Sequence, residues 1–195
     1  KRTANYKTND LIINQHLRLM SLFNSKMKNR ELTEAYKNIL LVSDTFANYY
    51  GWRDHPYYGA PHNFSLGGTP LDSTIVCAKT IVEEFKTKTK AQIVNVVFLS
   101  DGQSNRHMDY LTSENLVKSV SKRSLHIDDV KTRTRVYPTR KNGKQMDTTS
   151  IYLLALKEQL GINLLGFFLT SGGTRRTASD IGWIMERYPT DVEIT

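Results

Sequence analysis

The segment IVNVVFLSDG, residues 93–102, decides the fold that this sequence predicts. Its residues are almost all β-branched or apolar, and it ends in Ser-Asp-Gly, which is typical of a strand that is buried on both faces and ends in a turn. A second apolar segment, INLLGFFL, occupies residues 162–169. Continuous apolar strands occur in parallel sheets with helices on both faces, so we expect such a sheet.

Helical patterns surround the two predicted strands. Residues 31–50 have apolar side chains at three- and four-residue spacing, and Gly51 is placed to end that helix. Pro70, following Thr69, favours the start of a second helix that continues to about Lys86. Its predicted inner face comprises Ile75, Ala78, Ile81, Val82 and Phe85.

Further elements complete the prediction. A helix is expected over residues 147–160, ending at Gly161, and a short final helix over residues 178–188. We predict a less regular strand over residues 18–23 and an ordered, aromatic-rich loop over residues 51–68. The expected fold class is therefore α/β, with three layers: a mostly parallel central sheet and helices on both faces.

Length and composition indicate one folded domain over residues 1–195, of which residues 1–10 form a polar arm. Hydrophobic residues make up 39% of the chain, which is typical of a globular protein. The sequence contains no apolar segment of about 18 residues, so we expect no transmembrane helix and no membrane partner. The single cysteine, Cys77, excludes an intramolecular disulfide and favours packing in a cytoplasmic protein.

The net charge of +8 is concentrated in one segment. Residues 118–144 contain nine basic and two acidic residues, and Asn142-Gly143 is a strong turn signal, so residues 118–146 are predicted to form an inserted basic β-hairpin. Its predicted basic face comprises Lys131, Arg133, Arg135, Arg140, Lys141 and Lys144. Such a face contacts phosphate groups of a nucleic acid, docks an acidic protein, or is simply solvated.

Candidate metal ligands lie where the first apolar strand ends. Ligands of parallel α/β sheets bind at the carboxyl ends of the strands, which is where Asp101 is predicted to lie. Thr69 is at a predicted loop-to-helix junction, and Ser104 follows Asp101 closely. Their oxygen atoms suit Mg²⁺ or Mn²⁺. Structural alternatives are an N-cap role for Thr69 and turn roles for Asp101 and Ser104.

Two motifs resemble the second and third metal-site motifs of von Willebrand factor A (vWA) domains: GGTPLDST at residues 67–74 and VVFLSDGQSN at residues 96–105. The detail is most similar to the vWA domains of cobaltochelatase-type subunits and their phage-encoded relatives. The resemblance covers roughly residues 31–188 and implies that Thr69 and Asp101 belong to a metal-ion-dependent adhesion site, with Ser104 at its periphery. The family's first motif, D-x-S-x-S, is not found in the sequence, so we expect the chain to lack the first strand and helix of the fold, upstream of Lys1.

The resemblance implies a binding role rather than catalysis by this chain alone. In that family a bound divalent ion captures an acidic side chain of a partner, and cobaltochelatase-type subunits work with a MoxR-type AAA+ ATPase. Two alternatives stay open: a nucleic-acid-binding protein that uses the basic segment, and a structural component of a phage particle with a vestigial metal site. The expected location is the cytoplasm, that of a bacterial host if the chain is phage-encoded, or the virion.

Overall fold

The residues that the computed structural model describes have α/β content, as the sequence predicts. The described residues are 6–13, 17–49, 68–100, 104, 108–120, 126–129, 134–136, 140–141, 144–145 and 147–169. Residues 51–67 of the predicted loop at 51–68, and the predicted helix at residues 178–188, lie outside them. No helix in the described ranges is long and apolar enough to cross a membrane.

The chain forms two compact units, one comprising Arg18–Gly67 and the other Lys1–Leu17 with Gly68–Thr195. The first unit contains helix α1, Asn29–Tyr49, which confirms the predicted helix. Its first turn is capped by the Glu31 carboxylate, which accepts the Lys28 N–H at 2.8 Å. One helix face is half-buried, as its spacing predicts: Leu32, Ala35, Ile39 and Val42.

The strand predicted at residues 18–23 is wrong, because that segment has no regular structure. Leu19, Met20 and Leu22 are exposed there. Phe23 packs instead against Tyr36 of α1, with ring centroids 4.9 Å apart. Apolar spacing favours a strand only where a neighbouring strand supplies hydrogen bonds, and the described structure has none beside this segment.

The second unit is built around two parallel strands, β2 (Asn95–Ser100) and β9 (Asn163–Phe168), paired from Asn95↔Asn163 to Ser100↔Phe168. Both confirm predicted strands. Helices α2 (Leu71–Thr89) and α3 (Thr148–Leu160) precede these strands, as predicted. Two parallel strands are seen in the described part of the chain, so the three-layer arrangement stays a prediction.

Helices α2 and α3 lie side by side and point the same way. At their carboxyl ends the Lys86 ammonium donates to the Leu160 carbonyl at 2.7 Å. Gly161, with φ of 57°, ends α3 in the left-handed conformation that glycine adopts without steric cost. At their amino ends, Asp72 of α2 accepts hydrogen bonds from Thr148 and Thr149 of α3. Both helix N-termini are therefore close to each other.

One face of the β2–β9 pair packs on these helices. The core comprises Ile75, Val82, Val94, Met108, Val120, Ile151, Tyr152, Leu156 and Ile162, with Val96, Phe98 and Leu164 packed against it. The opposite face presents Val97, Leu99, Leu165, Phe167 and Leu169 as exposed side chains. In the part of the chain that the structure describes, β2 is therefore covered on one face only, and its burial on both faces stays a prediction. On α2, Ile81 and Phe85 are also exposed rather than on the inner face.

Short antiparallel strands complete the second unit. Strands β1 (Leu11–Ile12), β3 (Asp109–Leu111) and β4 (Val117–Ser119) form one small sheet. The end of the predicted polar arm is ordered, because the backbone N–H of Asn9 donates to the Leu111 carbonyl at 2.7 Å. The described residues at the end of that arm, 6–10, are therefore tied to β3 rather than forming a loose arm.

The predicted basic insertion contains two hairpins rather than one. Strands β5 (Ile127–Asp129) and β6 (Thr134–Val136) pair with each other, and β6 contributes buried Val136. Strands β7 (Arg140–Lys141) and β8 (Lys144–Gln145) flank Asn142-Gly143, as the turn signal predicts. The first hairpin contacts α3, so the insertion is attached to the core.

Candidate functional site

The candidate site lies where the N-termini of α2 and α3 meet the chain that follows β2. Because each helix leads into its strand through a short turn, the N-terminus of the helix lies at the carboxyl end of the strand. Both helices therefore direct their N-termini toward the edge of the sheet at which parallel α/β proteins bind ligands. Ser100 is the last residue of β2 at this edge.

The structure places two of the three predicted metal-site residues here. Ser104 is half-buried, and its Oγ accepts the backbone N–H of Asp72 at 3.2 Å. Thr69 is half-buried and directly precedes Pro70. Asp101 lies outside the described residues. Ser104 and the start of α2 are thus brought together, while the position of Asp101 stays a prediction.

The N-cap interpretation of Thr69 is wrong. The N-cap residue of α2 is Pro70, and the helix has no side-chain capping bond from that position. The first N–H groups of a helix have no partner within the helix and need an acceptor from elsewhere. Ser104, 32 residues away in sequence, supplies one acceptor to this turn. It is therefore more than a local turn hydroxyl.

The residue that the sequence does not single out is Asp72. It is the second residue of α2, and its side chain is only 1% exposed. Its carboxylate accepts the Thr149 hydroxyl at 2.5 Å and the Thr148 hydroxyl at 3.4 Å. The Asp72 carboxylate is therefore surrounded by hydroxyl groups at the junction of two helices.

The surroundings of Asp72 act on its charge in opposite directions. Desolvation raises the pKa of Asp72 above its ordinary value, and the nearby negative charge of Asp147 acts in the same direction. Hydrogen bonds from Thr149, Ser104 and Thr148 stabilise the ionised form but only partly offset the desolvation. The N-termini of two helices add favourable partial positive charge at this position.

Tyr152 completes the buried cluster. It is 2% exposed, and its hydroxyl has no hydrogen-bond partner in the part of the chain that the structure describes. Burial raises the pKa of Tyr152 strongly, and the Asp72 carboxylate acts in the same direction. The phenol is therefore neutral beside a buried acid.

Asp147 has a structural role at the same junction. Its side chain accepts the Ser150 N–H at 2.8 Å and so caps the N-terminus of α3. The pattern Asp147-Thr-Thr-Ser at a helix start signals a cap, but it does not indicate that the two threonines contact Asp72. Among the described residues, no group of three His, Cys, Asp or Glu side chains is placed to bind a metal ion.

Cys77 contributes no reactive group to the site. It lies half-buried within α2, and burial raises the pKa of its thiol. A thiol with a raised pKa is less ionised and hence less nucleophilic at neutral pH. This agrees with the predicted packing role.

The predicted basic face is only partly described. Lys131 and Arg133 lie outside the described residues. Arg135 lies on β6 and donates two hydrogen bonds to the Asp128 carboxylate of β5, at 2.6 and 2.7 Å. This pair lowers the pKa of Asp128 and offsets much of the positive charge of Arg135. Arg135 therefore contributes less net charge to the face than the sequence suggests.

The second hairpin pairs two basic residues in register. Lys141 and Lys144 are register partners, and Arg140 is paired with Gln145. Like charges in register destabilise a strand pair unless an anion lies close. Of the predicted basic face, this hairpin is therefore the better candidate for contact with an acidic partner or a phosphate group.

We expect Lys141→Gln to reduce retention on heparin more than Arg135→Gln does. Each variant removes one positive charge, but the Arg135 guanidinium already donates two hydrogen bonds to the Asp128 carboxylate and is therefore less available to a sulfate group. Polyanion binding depends on the phosphates or sulfates that basic groups neutralise, so elution salt measures the contribution of each side chain. A lower elution salt for Arg135→Gln than for Lys141→Gln would contradict this assignment.

Comparison of the chain with models of known protein families, with curated proteins and with solved structures gave no match.

Proposed function

We propose that this chain is a vWA-like binding module that captures an acidic partner protein through a divalent metal ion at the carboxyl end of β2. The observation that favours this proposal most is the hydrogen bond between Ser104 and the first turn of α2. It joins the two segments whose motifs resemble vWA metal motifs, although they are separated by a helix and a strand.

The oxygen donors that the sequence offers suit Mg²⁺ or Mn²⁺. The predicted ligands Thr69 and Asp101 offer a hydroxyl and a carboxylate, with the Ser104 hydroxyl at the periphery, and these oxygen donors are what hard divalent cations prefer. A bound ion supplies positive charge that an aspartate or glutamate of a partner can complete. The chain's own part is to orient the hydroxyl groups, which the buried contacts of Asp72 support.

The partner that the resemblance suggests is a MoxR-type AAA+ ATPase in a chelatase-like or remodelling complex. In this proposal the ATP chemistry belongs to the partner, and the chain contributes recognition. The finer fold that we propose is the three-layer vWA arrangement, supported by the parallel pairing of β2 with β9 and by the shared direction of α2 and α3. The basic hairpin β7–β8 is suited to additional acidic groups of the same partner.

The test is thermal unfolding in EDTA, in Mg²⁺ and in Mn²⁺, for the native chain and for Asp101→Ala. A ligand at about 100 times its Kd stabilises the folded state by ~2.7 kcal/mol. For a chain of this length, that corresponds to a rise in Tm of about 5–10 °C. We expect the native chain to show this rise and Asp101→Ala to lose it.

Glu114→Ala is the matched control, because Glu114 is an exposed carboxylate in the turn between β3 and β4. This variant should keep the full response to the metal ion. Equal melting temperatures of the native chain in EDTA and in saturating Mn²⁺ would overturn the proposal. An assembly that forms equally well in EDTA would then favour the structural alternative.

A further inference from the structure

The Asp72 carboxyl group is buried and has no basic partner among the described residues. Buried carboxylates are costly unless they are paired or well hydrogen-bonded. The groups that contact Asp72 are the hydroxyls of Thr148 and Thr149, and the Ser104 hydroxyl also stabilises its ionised form. These hydroxyl groups are therefore the described contacts that offset the cost of burying the Asp72 carboxylate.

The contacts of Asp72 join three segments of chain at one point. Through its own backbone Asp72 belongs to the first turn of α2, three residues after Thr69. Through its carboxylate it contacts the first turn of α3, where the chain returns from the basic insertion. Through its N–H it contacts Ser104, three residues after Asp101. Asp72 therefore adjoins one predicted metal-site segment and contacts the other.

The hydrogen bonds between Ser104 and Asp72 orient the Ser104 hydroxyl as well as hold it in place. A serine hydroxyl donates one hydrogen bond and accepts two. Ser104 accepts the Asp72 N–H, and its hydroxyl also lowers the pKa of the Asp72 carboxylate, so both polar groups of Asp72 act on it. Side chains behind the direct ligands commonly orient them in this way and affect metal affinity about 10–100-fold.

We propose that Asp72 is a positioning residue: it fixes the Ser104 segment against the N-termini of α2 and α3 and thereby orients the oxygen donors of the metal site. The metal part of this inference rests on the proposed function. The anchoring of the Ser104 segment does not, since it follows from contacts within the chain alone.

The experiment uses Asp72→Asn, which keeps the shape of the side chain and removes its charge. Arg106 lies two residues beyond Ser104, so trypsin cleavage after Arg106 under native conditions reports how firmly this segment is anchored. Without metal ion, we expect Asp72→Asn to be cleaved there at least fivefold faster than the native chain. The sites of cleavage are identified by mass spectrometry.

The matched control is Val82→Ala, which removes buried atoms from the same helix without touching Ser104 or α3 through hydrogen bonds. It separates anchoring from a general loss of stability, because its cleavage after Arg106 should rise no more than its cleavage at other sites. Should Asp72→Asn fail to fold, Ser104→Ala removes the hydroxyl that accepts the Asp72 N–H and should also give faster cleavage after Arg106. Cleavage of the folded variants at the native rate would overturn the proposal.

A second measurement addresses the metal site, using the electron paramagnetic resonance signal of free Mn²⁺ at a temperature where all variants are folded. We expect the native chain and Val82→Ala to bind Mn²⁺ alike, and Asp72→Asn to bind at least tenfold more weakly. Unchanged Mn²⁺ affinity in Asp72→Asn would overturn the positioning role even if the native chain binds the ion. No Mn²⁺ binding by the native chain would overturn the proposed function and the metal part of this inference, while the cleavage result would still decide the anchoring of Ser104.

Discussion

Replacing Ile75 by alanine should lower the free energy of unfolding by about 3 kcal/mol. Ile75 is 1% exposed and belongs to the core between α2, α3 and the β2–β9 pair. Truncation removes three methyl or methylene groups from a packed environment and leaves a cavity that the surrounding helices fill only in part. Urea unfolding followed by circular dichroism measures the change.

Ile81→Ala is the matched control, since Ile81 is the same residue type in the same helix but is 55% exposed. We expect it to change the free energy of unfolding by less than about 0.5 kcal/mol, because the lost contacts are few and alanine has the higher helix propensity. Equal losses for the two variants would mean that Ile81 is covered in solution. The helix would then have the broader inner face that its spacing predicts.

Local patterns in the sequence predict the main elements of the second unit. β2 and β9 are recognisable because β-branched and apolar residues are continuous there, and α3 because Asp147 and Gly161 mark its ends. The turn at Asn142-Gly143 is likewise specified by the residues that form it. Each of these signals acts over a few residues, so no knowledge of the tertiary structure is needed to interpret it.

The features that the sequence analysis misses depend on distant contacts. An aspartate in the first turn of a helix is ordinary, because the helix dipole favours it there. Only the approach of Thr149, 77 residues away in the chain, shows that Asp72 is buried. Apolar periodicity likewise cannot show that Arg135 is paired with Asp128 across two strands.

The exposed face of the β2–β9 pair is a second feature that the local sequence pattern alone does not predict. Leu99 and Phe167 are register neighbours on that face, and both are exposed in the described structure. Parallel sheets are usually covered on both faces, which is why their strands are apolar throughout. The apolar sequence of these strands is therefore consistent with the proposed three-layer fold, in which this face would be covered.

Tyr152→Ala should strongly lower the free energy of unfolding, whereas Tyr152→Phe should not lower it. Tyr152 is among the largest fully buried side chains, and Tyr152→Ala should lower the free energy of unfolding by about 4 kcal/mol through loss of buried area and formation of a cavity. Tyr152→Phe keeps the ring and removes only a hydroxyl that has no hydrogen-bond partner among the described residues. An unsatisfied buried hydroxyl costs about 1–3 kcal/mol, so Tyr152→Phe should leave stability unchanged or raise it by up to ~1 kcal/mol.

The comparison also tests the electrostatics of the candidate site. The measurement is urea unfolding at neutral pH in EDTA, so that no bound metal ion contributes to either variant. A loss of more than about 1 kcal/mol in Tyr152→Phe is the size expected for a lost hydrogen bond, and it would show that the phenol has a partner in solution. Asp72 would be the first group to examine as that partner, because its carboxylate already acts on the pKa of Tyr152. A neutral result would instead leave the three hydroxyls of Ser104, Thr148 and Thr149 as the groups that stabilise the ionised carboxylate, which is the arrangement on which the positioning role of Asp72 depends.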